Sequence, residues 1–271
     1  MARPVRIAVL GADGRMGRAL IRAVLGATPR AVLAAASERP GHVSVGKDAG
    51  VLAGIERAGV EITGQLPARG VADVWIDFTT ASVTESVATT AAAHGIGLVV
   101  GTTGLGTHSR AALDVASQRI PVVYAANYSV GINVMLKLIA DAARALGHDY
   151  DMEIVEAHHR GKKDAPSGTA LRLAEALAQA SGRDLAVAAR YARHGDIGAR
   201  SANEIGIQTV RGGDVVGDHT VFFLGNGDRI EITHRATTRD TFAVGAVRAA
   251  LWVAGCQPGL YDMRNVLGLG F

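Results

Sequence analysis

Residues 5–17 read VRIAVLGADGRMG, a short apolar run followed at once by three glycines at G-x-x-G-x-x-G spacing. The run predicts a buried strand, and the apolar spacing that begins at residue 16 predicts a helix. Glycines in such a turn let the backbone approach a pyrophosphate, and the N-terminus of a helix attracts anions. The stretch therefore indicates a dinucleotide site; a tight strand-to-helix turn without a ligand is the alternative.

An acidic and a basic residue follow the next apolar run. Glu38 lies about twenty residues beyond the glycine turn, where a carboxylate accepts hydrogen bonds from ribose hydroxyls. Its carboxylate repels a 2′-phosphate, whereas the neighbouring Arg39 attracts one. We therefore expect both NADH and NADPH to be used.

The first part of the chain alternates short apolar runs with segments of helical periodicity. Strands are predicted at Val5–Leu10, Ala31–Ala36, Val74–Phe78, Gly97–Val100 and Val122–Ala125. Such alternation is typical of a parallel sheet with helical crossovers. We predict an α/β fold with a Rossmann-like dinucleotide-binding domain over residues 1–127, on which the C-terminal segment 240–271 packs back. Residues 40–70 are rich in glycine and give no assignment.

The pattern changes after residue 127. Three strand-like runs follow one another without intervening helices, at Ile205–Val210, Val215–Leu224 and Arg229–Ala236. Short turns between them, such as the one at 225–227, predict hairpins. We predict a second, α+β domain with a mixed or antiparallel sheet over residues 128–239.

Composition excludes several classes of protein. Of 271 residues 48% are hydrophobic, which is enough for packed cores, and the net charge of +3 with 4% aromatics argues against nucleic-acid binding. We find no run of 18 apolar residues and no export signal, so we expect no membrane partner. A single cysteine, Cys256, fits a reducing compartment, and we expect a cytoplasmic location.

The segment 153–170, EIVEAHHRGKKDAPSGTA, holds the densest chemistry of the chain. Two adjacent histidines point to opposite sides of the strand if it continues there, so they cannot easily bind the same metal ion, and the cations that follow would repel one. We therefore expect no metal site. Ser167 or Thr169 caps the helix that follows, and the first amides of that helix suit a carboxylate. The combination predicts a small anionic substrate that receives a proton; a solvated basic loop is the alternative.

These motifs resemble the dihydrodipicolinate reductase (4-hydroxy-tetrahydrodipicolinate reductase) family. EAHHRGKKDAPSGTA at 156–170 resembles the family signature, and the remaining matches occur in order: GADGRMG at 11–17, DFT at 77–79, GTTG at 101–104, AANYSVGIN at 125–133, VRGGDVVGDHT at 210–220 and ITHRATTRDTFAVGA at 232–246. The resemblance implies reduction of 4-hydroxy-tetrahydrodipicolinate, via dihydrodipicolinate, to tetrahydrodipicolinate by NADH or NADPH in lysine and diaminopimelate biosynthesis. It also implies a homotetramer assembled through the second domain, which binds the dicarboxylate substrate.

The resemblance also implies roles for individual residues. His158 matches the proton donor, Lys162 a second catalytic residue that donates a proton and holds the substrate, and His159 a substrate contact. Gly168 and Thr169 match a backbone site for a substrate carboxylate. The expected nucleotide contacts are Gly11, Ala12, Asp13, Gly14, Arg15, Met16, Gly17, Glu38, Arg39, Gly101, Thr102, Thr103, Ala125, Ala126, Asn127 and Tyr128.

Two other functions compete with this interpretation. Another two-domain nicotinamide dehydrogenase is one, but a phosphorylating semialdehyde dehydrogenase needs a nucleophilic cysteine, and Cys256 lies in the C-terminal helical region. A protein that only senses the nucleotide is the other. It has no need of a proton donor such as His158 beside a carboxylate site.

Overall fold

The computed structural model describes residues 3–270, which form two compact units. The first unit combines the chain up to Val130 with Arg239–Gly270, and the second unit is Gly131–Thr238. Among the described residues, no helix has the length and apolar character needed to cross a membrane.

Strands and helices alternate along most of the described chain. The strands are β1 (Val5–Leu10), β2 (Ala31–Ser37), β3 (Ile62–Thr63), β4 (Val74–Asp77), β5 (Gly97–Val100), β6 (Pro121–Tyr124), β7 (Asp151–His158), β8 (Ala189–Arg190), β9 (Ile205–Arg211), β10 (Gly217–Leu224), β11 (Arg229–Ala236) and β12 (Gly259–Tyr261). The helices are α1 (Arg15–Leu25), α2 (Ala49–Leu52), α3 (Ala81–His94), α4 (Thr107–Ser117), α5 (Val130–Leu146), α6 (Gly168–Ala180), α7 (Leu185–Ala188), α8 (Asp240–Val253) and α9 (Met263–Leu267).

The first unit is built on a seven-stranded sheet in the order β12-β6-β5-β4-β1-β2-β3. Its neighbouring strands run parallel, which requires crossovers that cover the faces of the sheet. Helices α1 and α8 share one core with the sheet, and α3 and α4 share another. The predicted Rossmann-like parallel sheet is confirmed.

Alternate residues of β1 serve the two cores of this unit. Ile7 and Val9 are buried with α1 and α8, whereas Ala8 and Leu10 are buried with α3 and α4. A strand that is buried on both faces has a continuous apolar sequence, which is why the run at 5–10 identifies β1. The glycine turn that follows β1 therefore lies at the carboxyl edge of the sheet, where parallel α/β folds bind their ligands.

The second unit is built on a five-stranded sheet in the order β11-β10-β7-β9-β8. Strand β7 pairs in parallel with β9 and antiparallel with β10, so the sheet is mixed, as predicted. Helices α5 and α6 share a core with these strands. Along β7, Met152 and Ile154 lie in this core, and the period of two puts Glu156 and His158 on the same buried face.

Two parts of the fold differ from the sequence expectation. The predicted hairpin between β9 and β10 does not form, because β7 lies between these two strands in the sheet. The predicted hairpin between β10 and β11 does form. The unassigned stretch 40–70 holds α2 and β3. Its loop is held by the Asp48 carboxylate, which accepts hydrogen bonds from the amides of Gly50, Val51, Ala58 and Gly59. Bonds of this kind leave no periodic pattern in the sequence.

We expect Gly17→Ala to loosen the first turn of α1. A β-carbon at this position would overlap the carbonyl oxygen of Gly11 and come within 2.7 Å of that of Ala12. Overpacking of this kind lowers the free energy of unfolding by about 1–3 kcal/mol, and we expect NADH to bind more weakly. Denaturant titration and fluorescence titration with NADH measure the two effects.

Gly106→Ala is the matched control, since apart from residues 105–107 no atom of the described residues lies within 4 Å of the added β-carbon. Equal losses of stability in the two variants would contradict the steric argument.

Candidate active site

The glycine turn brings the backbone of β1 and α1 into close contact. Gly11 has a φ of +71°, a conformation that favours glycine, and a β-carbon there would lie 2.9 Å from the Cγ2 atom of Thr79. At Gly14, which precedes α1, no side chain caps the helix. A turn without room for β-carbons, in front of a helix without a side-chain cap, fits the pyrophosphate of a dinucleotide.

An acid and a base flank this turn. Oε1 of Glu38 accepts a hydrogen bond from the amide of Asp13 at 3.0 Å, and Oε2 accepts one from the amide of Arg39 at 3.1 Å. The carboxylate of Asp13 is paired with the Arg18 guanidinium, whose Nε lies 3.0 Å from Oδ1. The Glu38 carboxylate is thus held against the turn, while Arg39 is exposed beside it.

The other segments predicted to contact the nucleotide follow β5 and β6. These strands run parallel to β1, so Gly101–Thr103 and Ala125–Tyr128 lie at the same carboxyl edge as the glycine turn. A β-carbon on Gly101 would overlap the ring of Phe78, so that only glycine fits there. The structure therefore brings all the predicted nucleotide residues to one edge of the first unit's sheet.

Tyr128 differs from its neighbours because its side chain is fully buried. Its hydroxyl oxygen lies 2.9 Å from the carbonyl oxygen of Val100 and 3.0 Å from that of Val123, so that its single proton is shared between these two acceptors. Burial raises its pKa well above the usual value. Its ring packs against Phe78. The tyrosine side chain thus closes the core behind β5 and β6.

Asp77, at the end of β4, is a buried acid at this same edge. It accepts hydrogen bonds from the amide of Thr79 at 2.9 Å and from its hydroxyl at 2.6 Å. Burial raises the pKa of Asp77. The carboxyl group fixes Thr79, which in turn contacts Gly11.

A second polar centre lies in the second unit, on the buried face of its sheet. Strand register places Thr209 and His219 on either side of Glu156, and Arg211 beside His158. Lateral neighbours in a sheet share a face, so these five side chains converge on the end of β7. Sequence reasoning had identified only His158 among them as functional.

The Glu156 carboxylate is the centre of this cluster and is completely buried. Its Oε1 accepts hydrogen bonds from the Ser167 amide at 2.9 Å, from Nη2 of Arg211 at 2.9 Å and from the Thr209 hydroxyl at 3.2 Å. Its Oε2 lies 2.8 Å from Nη1 of Arg211 and 2.6 Å from Nδ1 of His158. Although burial acts to raise it, the pKa of Glu156 is lowered to about 2 by these bonds, that from Arg211 first.

The imidazole of His158 is held between three groups. Its Nδ1 faces Glu156, its ring meets that of His219 edge to face at 5.2 Å, and its Nε2 lies 3.0 Å from where a β-carbon on Gly217 would stand. The side chain is 10% exposed. The glycine at 217 therefore leaves room beside Nε2, the nitrogen that faces away from the carboxylate.

His219 is a buried imidazole at the back of the cluster. Its Nε2 lies 3.2 Å from the hydroxyl oxygen of Ser167, which also accepts a hydrogen bond from the amide of Ala170 and so caps α6, as expected. Burial, helped by the charge of His158, lowers the pKa of His219 to about 4. This histidine is therefore neutral at neutral pH.

The loop between β7 and α6 carries the remaining predicted residues. Nζ of Lys162 forms an ion pair of 3.0 Å with Asp164, whose pKa it lowers. Nη2 of Arg211 donates a 2.6 Å hydrogen bond to the carbonyl oxygen of Asp164, and the amide of Lys162 donates one to the carbonyl oxygen of His159. Half-buried His159 lies beside this loop rather than in the buried cluster.

Gly168 and Thr169 are the first two residues of α6. Their amides point out of the N-terminus of the helix, where they can meet an anion. Because the amide of the preceding Ser167 is bonded to Glu156, this end of α6 is held against the cluster that contains His158.

Two family models together match almost the whole of the described chain. A family model described as dihydrodipicolinate reductase, N-terminus, matches residues 5–128, and one described as dihydrodipicolinate reductase, C-terminus, matches residues 131–267. The chain belongs to this family. It is an oxidoreductase that reduces the small dicarboxylate 4-hydroxy-tetrahydrodipicolinate in lysine and diaminopimelate biosynthesis, and its dinucleotide-binding fold serves NAD(P)H.

Members of the dihydrodipicolinate reductase family match almost the whole chain. The 4-hydroxy-tetrahydrodipicolinate reductase of Alkalilimnicola ehrlichii is 56% identical over 97% of this chain and 99% of its own. That of Pseudomonas fluorescens is 54% identical over the same shares. A solved dihydrodipicolinate reductase from Paenisporosarcina sp. TG-14, with dipicolinate bound, has a TM-score of 0.77 at 22% identity and covers 97% of this chain and 99% of its own.

Sequence reasoning did not assign a role to Glu156, Arg211 or His219. The alternation of β7 is the signal that could have found Glu156, since the apolar residues at 152 and 154 place 156 on the buried face. Nothing local indicates Arg211 or His219, because their contacts depend on which strands β7 pairs with.

We expect the protonation of His219 to destabilise the fold in acid. Its pKa is about 4 in the folded chain and about 6.5 when unfolded. The unfolded chain therefore binds the proton first, so the stability is complete above pH ~6.5 and is lost as the pH falls from about 6.5 to about 4. Between pH ~7 and pH ~5 this amounts to about 2 kcal/mol.

Denaturant titrations of the wild type and of His219→Gln at both pH values measure this loss as a difference between the two proteins. An equal loss of unfolding free energy between the two pH values in the wild type and in His219→Gln would contradict the role assigned to His219. The buried carboxylate of Glu156 does not interfere with this measurement. Its pKa is lowered from 4.5 to about 2 in the folded chain, so the stability that it contributes is lost only as the pH falls from about 4.5 to about 2.

Proposed function

We propose that the chain reduces its dicarboxylate substrate through the polar centre of the second unit, with His158 as proton donor. Lys162 is proposed as the second catalytic residue, which donates a proton and holds the substrate, and His159 as a substrate contact. The observation that carries the proposal is that Glu156 and Arg211 tie the Lys162 loop and the start of α6 to the strand end that bears His158. A proton donor, a cation and helix amides are thereby gathered at one place.

The chemistry of reduction needs these three kinds of group. Bound NAD(P)H would supply a hydride to ring C4 of the dehydrated substrate, and the ring would then need a proton from the protein. An imidazole suits proton delivery at neutral pH. Lys162 and the amides of Gly168 and Thr169 provide the positive field that favours the binding of a dianion. Each role is supported by the family likeness of the motif that carries it.

We propose that the first unit holds the nucleotide at the carboxyl edge of its sheet. The glycine turn fits the pyrophosphate, Glu38 the ribose hydroxyls and Arg39 a 2′-phosphate. The remaining contacts come from Gly101–Thr103 and Ala125–Tyr128. Because the acid and the base act in opposite directions on a 2′-phosphate, we propose that both NADH and NADPH are used.

The assembly and location of the enzyme are proposed from the family likeness. We propose a cytoplasmic homotetramer in which residues 128–239, which include the second unit, form both the substrate domain and the subunit contacts. We propose that the segment 240–271 belongs to the nucleotide domain. The core that α8 shares with α1 supports this, and residue 271 lies outside the described residues.

A coupled assay tests the proposed function. Pyruvate and aspartate semialdehyde are condensed by the preceding synthase, and the loss of nicotinamide absorbance is followed with NADH and with NADPH. We expect oxidation of both nucleotides only when synthase and reductase are present. We expect His158→Ala to lower kcat by about 10²–10⁴-fold, the range of general acid catalysis, with an unchanged Kd for NADH. A fully active His158→Ala enzyme would remove this histidine from the mechanism.

Replacement of Lys162 tests the anchoring of the substrate. We expect Lys162→Ala to raise KM and also to lower kcat, about 10-fold or more in each, because one charge-assisted contact is worth roughly 1.5–3 kcal/mol. The adjacent Lys163, which is exposed, provides the control, and Lys163→Ala should behave as wild type. Steady-state kinetics in the coupled assay give both constants, and an unchanged KM in Lys162→Ala would exclude the anchoring role.

A further inference from the structure

Glu156 has no surface with which to touch a substrate. Its side chain is 0% exposed, and both of its oxygens are occupied by groups of the second unit. Four of its contacts come from Arg211, Thr209 and the Ser167 amide, which are donors. The fifth contact is Nδ1 of His158. Whatever this carboxylate does for the reaction, it therefore does through another residue.

The chemistry of that fifth contact determines where the histidine carries its proton. An ionised carboxylate accepts hydrogen bonds and cannot donate one. At 2.6 Å from Oε2, Nδ1 of His158 must therefore be the donor. The second nitrogen, Nε2, is then the atom that gains and loses the exchangeable proton, as in other histidines whose first nitrogen is bonded to a carboxylate.

Arg211 keeps this carboxylate charged although it is buried. A carboxylate buried without a partner would take up a proton. The guanidinium supplies two parallel bonds, of 2.8 and 2.9 Å, in the bidentate arrangement that binds carboxylates most strongly. The same guanidinium holds the carbonyl oxygen of Asp164 at 2.6 Å, and so the loop that carries Lys162.

We propose that Glu156, kept ionised by Arg211, is the positioning residue of the reaction: it fixes the proton of His158 on Nδ1 and directs Nε2 towards the substrate. The proposal rests on the proposed role of His158 as proton donor. A purely structural role, in which Glu156 only joins β7, β9 and α6, would affect stability but not the tautomer of the histidine.

Glu156→Gln separates the two roles. Its amide oxygen can keep the bond from the Ser167 amide, whereas its NH₂ group would face Nδ1 of His158 as a donor. The neutral imidazole would then already carry its one proton on Nε2, so that this nitrogen could not take up the further proton that His158 has to deliver to the substrate. We expect kcat to fall about 10²–10⁴-fold, as it does when a catalytic histidine is held in the wrong tautomer. KM and the Kd for NADH should stay within about 2-fold, because Glu156 does not touch either ligand.

The spectroscopic readout is the ¹⁵N chemical shift of the two ring nitrogens of His158, assigned through their loss in His158→Ala. In the neutral form of His158 in the wild-type enzyme we expect a protonated Nδ1 and an unprotonated Nε2. In Glu156→Gln we expect the reverse. Loss of kcat in Glu156→Gln without this reversal would overturn the proposal in favour of a structural role.

Glu153→Gln is the matched control. Glu153 lies on the same strand but on its other face, where it is paired with Arg193 and Arg200 at 2.8 and 3.0 Å. The same substitution there removes a carboxylate that has arginine partners but no histidine. We expect near wild-type kcat and an unchanged His158 spectrum.

The outcomes distinguish the inference from the function on which it rests. If His158→Ala keeps its activity, the proposed role of His158 fails. If His158→Ala is inactive while folded Glu156→Gln keeps wild-type kcat, only the positioning role fails. Should Glu156→Gln not fold, the wild-type spectrum decides alone: a neutral His158 with its proton on Nε2 overturns the proposal, and one with its proton on Nδ1 supports it.

Discussion

The burial of one ionised carboxylate organises the polar centre of the second unit. Glu156 is completely enclosed, so its charge has to be met inside the fold, and Arg211 meets it with a bidentate ion pair. The carboxylate is also bonded to His158 on its own strand β7, to Thr209 on the neighbouring strand β9 and to the amide of Ser167 at the start of α6. Three elements therefore converge on one point because a charge without partners there would be costly.

A different constraint governs the first unit, namely the close approach of backbone to backbone. The glycines at 11 and 17 let β1 pass directly into α1, and Gly101 makes room for Phe78 behind β5. Because the sheet is parallel, the loops after β1, β5 and β6 leave it at one edge. The segments predicted to contact the nucleotide, which span more than a hundred residues along the chain, are thus gathered by topology.

Much of the fold could be predicted because its patterns are local. The apolar runs of β1, β4 and β5 and the period-two alternation of β7 mark strands without any knowledge of their partners. The loop around Asp48 was not predictable, since it is held by bonds from one carboxylate to four amides. The predicted hairpin between β9 and β10 was wrong, because β7 lies between these two strands. Strand pairing depends on contacts that are distant in sequence, and an apolar run does not indicate its partner.

The sequence by itself determined the two-part α/β architecture and the glycine turn, and it singled out His158 and Lys162 as candidate catalytic residues. Each of these conclusions rests on contiguous residues whose spacing or motif is specific. Only the tertiary structure decided that Tyr128 turns its side chain into a core, and that Glu156, Arg211 and His219 surround the histidine. Composition would assign charged residues to the surface. Strand register instead places Glu156 in the interior beside Arg211, and the bonds from Arg211 keep this buried glutamate an anion that faces an imidazole.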